Sequence, residues 1–216
     1  MKLFVLKSSL VLATACASLG AQAITMFDVD TFTSGLTEGW SGGPDRSVTG
    51  GGPGGASDNY YHVNSSGSSG SGSRMATYNL NSEWVGDYES AGVSGLKFDF
   101  KNFGTTTMNL RAVLFDASGN IWTSTNSFDV AGGSNWQSVF LAMNSGTMTL
   151  VAGSSDWSTS YQNVDRIMIR HAVNLDANGT RVVASVGFDN IQAVPEPGTM
   201  TAIVAGLAAL ARRRKR

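Results

Sequence analysis

Sugar recognition is the chemistry for which this sequence offers the most residues. A sugar ring can pack against an exposed aromatic face while nearby polar groups bond its hydroxyls. Trp84, Trp122 and Trp157 each have polar neighbours in the chain, and we predict that they bind a ligand. The alternative is that all five tryptophans are wholly or partly buried in the sandwich, which is the commoner position of large aromatic side chains.

Catalytic chemistry has few candidates. The chain has two histidines, His62 and His171, and no Gly-x-Ser-x-Gly elbow, His-Glu-x-x-His motif or phosphate-binding loop before a helix. A pair of carboxylates for glycoside hydrolysis stays an open alternative, because such a pair is defined by a separation of roughly 5–10 Å in space and not by spacing in the sequence. We therefore predict that the protein is not an enzyme, with a glycan-cleaving enzyme on a β-sandwich as the alternative. The glutamates concerned are Glu38, Glu83 and Glu89, all in loop-like sequence.

Short runs of alternating residues must position these side chains. Leu96, Phe98 and Phe100 alternate with charged residues, and similar runs cover residues 108–115 and 182–188. Alternation with a period of two is typical of strands that have one face in a core. We predict an all-β fold, a single-domain β-sandwich of jelly-roll type, over residues 24–193.

Turn residues separate these runs. Residues 116–120 read Asp-Ala-Ser-Gly-Asn, and Asn178-Gly179 before the run at Arg181 predicts a hairpin. The Gly/Ser-rich residues 41–57 and 65–73 predict surface loops. Residues 174–179 are similar to the start of an EF-hand calcium loop, but the twelfth position of that loop would be Ser185 instead of glutamate. We predict no calcium there.

Three short motifs lie at the start, middle and end of the body. They are Asp30-Thr31-Phe32 with Gly39-Trp40, residues 133–139, and Phe188-Asp189-Asn190-Ile191. Together they resemble jelly-roll carbohydrate-binding modules of the galactose-binding-like type. The resemblance implies that Trp40 and Trp136 are core anchors, and that Asp189, with Asp30 or Asp28, holds a structural calcium ion, which takes about six to eight oxygen ligands. Thr33 stands where those modules commonly have glutamate, and the alternative is that Asp189 is a polar residue closing the last strand.

The N-terminal residues 1–23 have the pattern of a secretory signal peptide. Lys2 and Lys7 precede an apolar centre, and the small residues Ala21 and Ala23 predict cleavage before residue 24. Cys16, the one cysteine of the chain, would be removed with this segment. The alternative is a lipoprotein whose first residue is a lipidated Cys16.

The C-terminal residues 194–216 have three parts. Pro195, Glu196 and Pro197 form an extended segment, because proline disfavours helix at its own position and at the one before it. The uncharged residues 198–211 would span about 21 Å as a helix, against a hydrocarbon core of about 30 Å. The basic end is expected to stay cytoplasmic, which places the body outside the membrane. It consists of Arg212, Arg213, Arg214, Lys215 and Arg216.

This order of parts resembles the PEP-CTERM sorting signal of Gram-negative bacteria. The resemblance implies recognition of Pro195, Glu196 and Pro197 by an exosortase, a membrane-embedded cysteine protease and transpeptidase analogue, after transient contact with the inner membrane. The alternative is a plain C-terminal anchor. We predict an exported protein of the cell envelope, cell surface or extracellular matrix, with a structural or carbohydrate-associated role in exopolysaccharide or biofilm.

The charge of the body excludes one class of partner. Residues 24–197 hold all sixteen acidic residues and eight of the fifteen basic ones, which gives a net charge of −8. A body this acidic has no basic stripe that could neutralise phosphates. We therefore predict no nucleic-acid partner.

Overall fold

The computed structural model describes residues 24–43, 45–70 and 72–195. The signal peptide with Ala21 and Ala23, Glu196 and Pro197 of the sorting motif, the apolar residues 198–211 and the basic end lie outside the described residues. Within the described part, no helix is long and apolar enough to cross a membrane.

Antiparallel strands form most of the described chain, with short helical turns between some of them. The strands are β1 (Asp45–Gly52), β2 (Gly55–Ser66), β3 (Ala76–Asn79), β4 (Gly95–Asn102), β5 (Met108–Asp116), β6 (Ile121–Ser124), β7 (Phe128–Val130), β8 (Gln137–Ala142), β9 (Met148–Ala152), β10 (Val164–His171) and β11 (Val183–Val194). The helical elements are a 3₁₀ turn (Ser82–Trp84), α1 (Tyr88–Ala91) and α2 (Trp157–Tyr161).

The strands make two sheets that pack as a sandwich. The first sheet has the order β1-β2-β11-β4-β8, and the second has the order β3-β10-β5-β6-β9 with β7 also paired to β5. The predicted all-β sandwich of jelly-roll type is confirmed. β11 runs to Val194, one residue beyond the predicted end of the body.

The alternating runs place their apolar residues in the core as predicted. Phe98 and Phe100 on β4 are buried, and both rings contact Phe188 on β11, with centroids 5.8 and 5.0 Å apart respectively. The alternate residues of β4, Lys97 and Asp99, point to the outer face of the first sheet. This outer face is therefore free to carry polar and aromatic groups.

The prediction of a loop over residues 41–57 is wrong for most of its length. Residues 45–52 form β1, which pairs with β2 in a long antiparallel hairpin. β1 is an edge strand in which Gly52 alone is buried, so burial does not select apolar residues there. The Gly/Ser-rich sequence therefore lacks the alternation that marks a strand. The second predicted loop is corrected at its start, since β2 continues to Ser66.

The predicted hairpin at Asn178-Gly179 is also wrong, because β10 and β11 belong to different sheets. The turn itself exists: Asp176 Oδ1 accepts hydrogen bonds from the backbone N–H groups of Asn178 and Gly179, and Gly179 has a φ of 75°. The side chain of Arg170 donates to the carbonyls of Asp176 and Ala177 and fixes this segment. The segment therefore crosses from one sheet to the other.

Candidate functional site

Trp84, the first predicted ligand-binding residue, belongs to the core. It is 3% exposed, and its indole N–H donates to Asp30 Oδ2 over 2.9 Å. Trp40 donates to the same oxygen over 2.6 Å, and the two rings meet edge to face. The prediction for Trp84 is corrected, since a ring enclosed in this way offers no face to a sugar. The core position implied for Trp40 agrees with its 1% exposure.

The other two predicted tryptophans lie together at one end of the sandwich. Trp122 is 9% exposed and is packed edge to face on Trp157, so it offers little surface to a ligand. Trp157 is half-buried and stacks on Tyr161, with ring centroids 4.4 Å apart. Trp157 and Tyr161 line a cleft of about 280 Å³ together with Glu89 and Asn144. The ligand-binding prediction for Trp157 stays a prediction.

A larger aromatic group, which the sequence did not indicate, lies on the outer face of the first sheet. We call Tyr60, His62, Phe103 and Trp136 the aromatic cluster. The ring centroid of Tyr60 lies 5.1 Å from that of Trp136 and 5.7 Å from that of Phe103. His62 meets Phe103 edge to face at 5.7 Å. The core position implied for Trp136 is therefore corrected: this side chain is half-buried on an outer surface.

Gly187 in β11 makes room for the aromatic cluster. A Cβ atom at this position would lie 2.7 Å from Cη2 of Trp136 and 2.9 Å from Cδ2 of Tyr60. Both rings thus lie directly on the backbone of the central strand. The indole N–H of Trp136 donates to the Gly51 carbonyl over 3.0 Å, which fixes the orientation of the ring.

Polar groups border the aromatic cluster. His62 Nε2 and Ser185 Oγ are hydrogen-bonded at 2.9 Å, and burial lowers the pKa of His62, which favours the neutral imidazole. Lys101 Nζ lies 5.0 Å from the centroid of the Phe103 ring, and this ring is 39% exposed. The cluster thus combines accessible ring surface with both hydrogen-bond donors and hydrogen-bond acceptors.

A carboxyl group is buried on the same sheet. Asp189 is 1% exposed, and its position follows from a bulge in β11, where Asn190 has a φ of 52°. Burial raises the pKa of Asp189 to about 7, and the neighbouring Asp58 and Asp99 add to this effect. Asn190 Nδ2 donates to Asp99 Oδ2 over 2.8 Å. Near neutral pH a proton on Asp189 can therefore bond to Asp58.

The two carboxyl groups of the predicted calcium site have different acidic neighbours, although Asp30 pairs with Ile191 close to Asp189 in the chain. Asp30 gives one oxygen to two indoles, and burial raises its pKa to about 6, with Glu38 and Glu83 as its acidic neighbours. Asp189 instead has Asp58 and Asp99 as neighbours. Among residues 24–43, 45–70 and 72–195, no group of three or more His, Cys, Asp or Glu side chains could hold a metal ion. Calcium also takes backbone carbonyl oxygens as ligands, so the structural calcium ion stays a prediction.

An agarase and two carbohydrate-binding modules are among the solved structures that are similar to this chain. An exo-beta-agarase matches with a TM-score of 0.54 at 15% identity, over 80% of this chain and 25% of the agarase chain. A non-crystalline cellulose specific carbohydrate-binding module, CBM28, matches with a TM-score of 0.51 at 13% identity, over 76% of this chain and 92% of the module. CtCBM11 matches with a TM-score of 0.50 at 15% identity, over 82% of this chain and 98% of its own.

At these identities the likeness concerns the fold, and this chain spans only a quarter of the agarase chain. The likeness confirms the resemblance to jelly-roll carbohydrate-binding modules at the level of architecture. No curated protein matches the chain in sequence.

The end of the chain is identified by its sequence. The family model described as the PEP-CTERM protein-sorting motif matches residues 193–216. The chain carries a PEP-CTERM sorting signal. The match begins within the last two residues of β11, so the PEP-CTERM signal follows the sandwich directly. It indicates export to the cell envelope or extracellular space of a Gram-negative bacterium and sorting by an exosortase.

Proposed function

We propose that this protein is a component of the extracellular matrix or cell surface that binds polysaccharide through the aromatic cluster. The observation that carries the proposal is the position of Phe103 and Trp136, whose rings are accessible on the outer face of the first sheet. The apolar face of a sugar ring packs on such aromatic surfaces. Lys101, Ser185 and His62 would bond its hydroxyls.

Charge favours a neutral glycan over an acidic one. Residues 24–197 carry a net charge of −8, and Asp58 and Asp99 lie on the same sheet as the aromatic cluster. An anionic polysaccharide would be repelled by this surface, the more so at low salt. Neutral hexose polymers are therefore the class that we expect to bind.

Binding is tested with the exported protein by affinity electrophoresis in gels that contain neutral or acidic polysaccharides. Trp136→Ala and Phe103→Ala should each weaken binding about two- to twelvefold, because an aromatic contact contributes about 0.5–1.5 kcal/mol. Trp157→Ala is the matched control, since this half-buried ring lies at the cleft by α2 and away from the cluster. Equal retardation of wild type and both cluster variants would contradict the proposal.

The alternative function is glycan hydrolysis. The pair of Asp58 with a protonated Asp189 favours it, because a neighbouring acid and base are what glycoside hydrolysis uses. Against it, Asp189 is 1% exposed and cannot reach a substrate in this structure. We expect no release of reducing ends from any polysaccharide that binds. Release that is lost in Asp189→Asn would establish the enzyme.

Sorting is tested separately from binding. A plain anchor needs only apolar length and a basic stop, whereas a recognition motif needs its own residues. Glu196→Ala combined with Pro197→Ala should leave membrane insertion intact and block removal of the tail, so that uncleaved protein accumulates in the inner membrane. Cleavage that continues in this double variant, or in cells without exosortase, would leave an ordinary anchored protein.

A further inference from the structure

An apolar surface lies where the sandwich meets the sorting signal. Phe27, Phe140, Val194 and Pro195 line one cavity of about 510 Å³, and we call these residues the terminal patch. Phe27 is 49% exposed and Phe140 is 37% exposed. Lys97, Ser138 and Gln192 complete the lining and add one positive charge. Exposed aromatic side chains grouped in this way indicate an interaction surface.

The backbone holds these aromatic rings at the surface. Phe27 has a φ of 67°, which is unfavourable for a bulky residue, and its N–H donates to the Ala193 carbonyl over 3.3 Å. The ring of Phe140 lies over Gly95, where a Cβ atom would be 2.4 Å from Cε2 of that ring. Phe27 and Phe140 are thus fixed beside the last residues of β11.

The position of the terminal patch along the chain limits how far it can be from a membrane. Pro195 lines the patch, and only Glu196 and Pro197 separate it from the apolar residues 198–211. From Pro195 to residue 198 the chain advances by three residues, which span at most about 11 Å when fully extended. Whenever residues 198–211 are in the inner membrane, the patch must therefore lie within about 11 Å of the lipid.

We propose that the terminal patch rests on the outer surface of the inner membrane while the tail is attached, and holds the Pro-Glu-Pro segment at the height of the exosortase. This proposal depends on the sorting function stated above. The sequence of residues 198–211 has fourteen uncharged residues, which would reach about 21 Å if helical against a core of about 30 Å, so insertion would thin the membrane or draw the flanking residues inward. Phe27 and Phe140 then lie among the headgroups, and Lys97 faces lipid phosphates.

The test places a fluorophore on the patch of the full exported chain. A protein that begins at residue 24 has no cysteine, so a single introduced cysteine can be labelled. Ser138→Cys labels the patch, and Ser47→Cys is the matched control. Both serines are exposed on the same face of the first sheet. Ser138 is on β8 and Ser47 is on β1, the two edge strands of that sheet, which lie four strand spacings of about 4.8 Å apart.

The labelled proteins are inserted into vesicles of three parts phosphatidylcholine to one part phosphatidylglycerol, with a spin label at headgroup level. We expect the label at residue 138 to be quenched several-fold more strongly than the label at residue 47. Equal weak quenching at the two positions would overturn the proposal. The proposal would also be overturned if the label at residue 138 were shielded from iodide in solution but not quenched by the spin-labelled lipid. That result would mean that the tail itself, instead of the membrane, covers the patch.

A second readout follows removal of the tail in cells. Phe27→Ser combined with Phe140→Ser should slow cleavage several-fold without preventing insertion. Val183→Ser removes another exposed apolar side chain, 69% exposed at the start of β11, and should leave cleavage unchanged. Unchanged cleavage in the patch variant would overturn the proposal while the sorting function stands. Absence of cleavage in the wild type would instead refute the sorting function.

Discussion

Replacing Asp189 by asparagine should make the sandwich more stable at pH 8 than the wild type. The unfolded chain ionises this carboxyl near 3.8, whereas burial raises its pKa to about 7 in the folded protein. Between these values the folded state holds a proton that the unfolded state lacks, so stability falls as the pH rises through this window. Asparagine cannot ionise, and its amide N–H can donate to Asp58 in place of that proton.

The size of the effect follows from the two pKa values. Their difference corresponds to about 4 kcal/mol, at about 1.4 kcal/mol per pKa unit. Relaxation around Asp58 and Asp99 reduces this figure, and we expect about 2–4 kcal/mol. At about 2–4 °C per kcal/mol for a domain of this size, the Tm should rise by roughly 4–16 °C at pH 8. At pH 5, about 1.2 pH units above the unfolded pKa, the same difference should fall to about 1–1.5 kcal/mol.

Thermal unfolding in EDTA at pH 5 and pH 8 measures this effect. Asp165→Asn serves as the control, because Asp165 is exposed on β10 and its replacement should change neither Tm. The reasoning is refuted if Asp189→Asn fails to raise the Tm at pH 8. It is equally refuted if the wild type becomes more stable between pH 5 and pH 8.

Three further predictions concern Gly187, Asp30 and calcium. Gly187→Ala should displace Trp136 and Tyr60, cost about 1–3 kcal/mol and abolish polysaccharide binding, as affinity electrophoresis and near-UV circular dichroism would show. Asp30→Ala leaves two buried indole N–H groups without their acceptor, so chemical unfolding should show a loss of about 2–6 kcal/mol, and Asp30→Asn should lose less because an acceptor oxygen remains. If Asp189 helps to hold calcium, removing the ion with EDTA at pH 8 should lower the Tm of the wild type but not that of Asp189→Asn; an unchanged Tm would refute the calcium prediction.

The sandwich could be predicted where one face of a strand is buried. Phe98 and Phe100 alternate with charged residues because the core accepts only one face of β4. The edge strand β1 has almost no buried face, so Ser47, Thr49 and Gly50 leave no periodic signal. The same physical cause thus explains both the success at β4 and the failure at β1.

The candidate site could not be predicted from spacing, because it is assembled across strands. Tyr60 and His62 lie two residues apart on β2, and this shared face was a usable signal. Phe103 follows β4 and Trp136 precedes β8, so only the pairing of the sheet brings them to β2. Trp84 was wrongly predicted to bind a ligand because its neighbours in the sequence are polar. Its indole N–H instead donates to the carboxylate of Asp30, which is distant in the chain.

The five tryptophans offer the most direct test of where a glycan binds. In a nitrogen-15 spectrum each indole N–H gives its own signal, and a neutral oligosaccharide that binds can be titrated into the exported protein. The Trp136 signal should shift progressively, while those of Trp40 and Trp84, both bound to Asp30 in the core, should stay in place. A titration that shifts Trp157 and leaves Trp136 unmoved would contradict the assignment of the aromatic cluster as the binding surface.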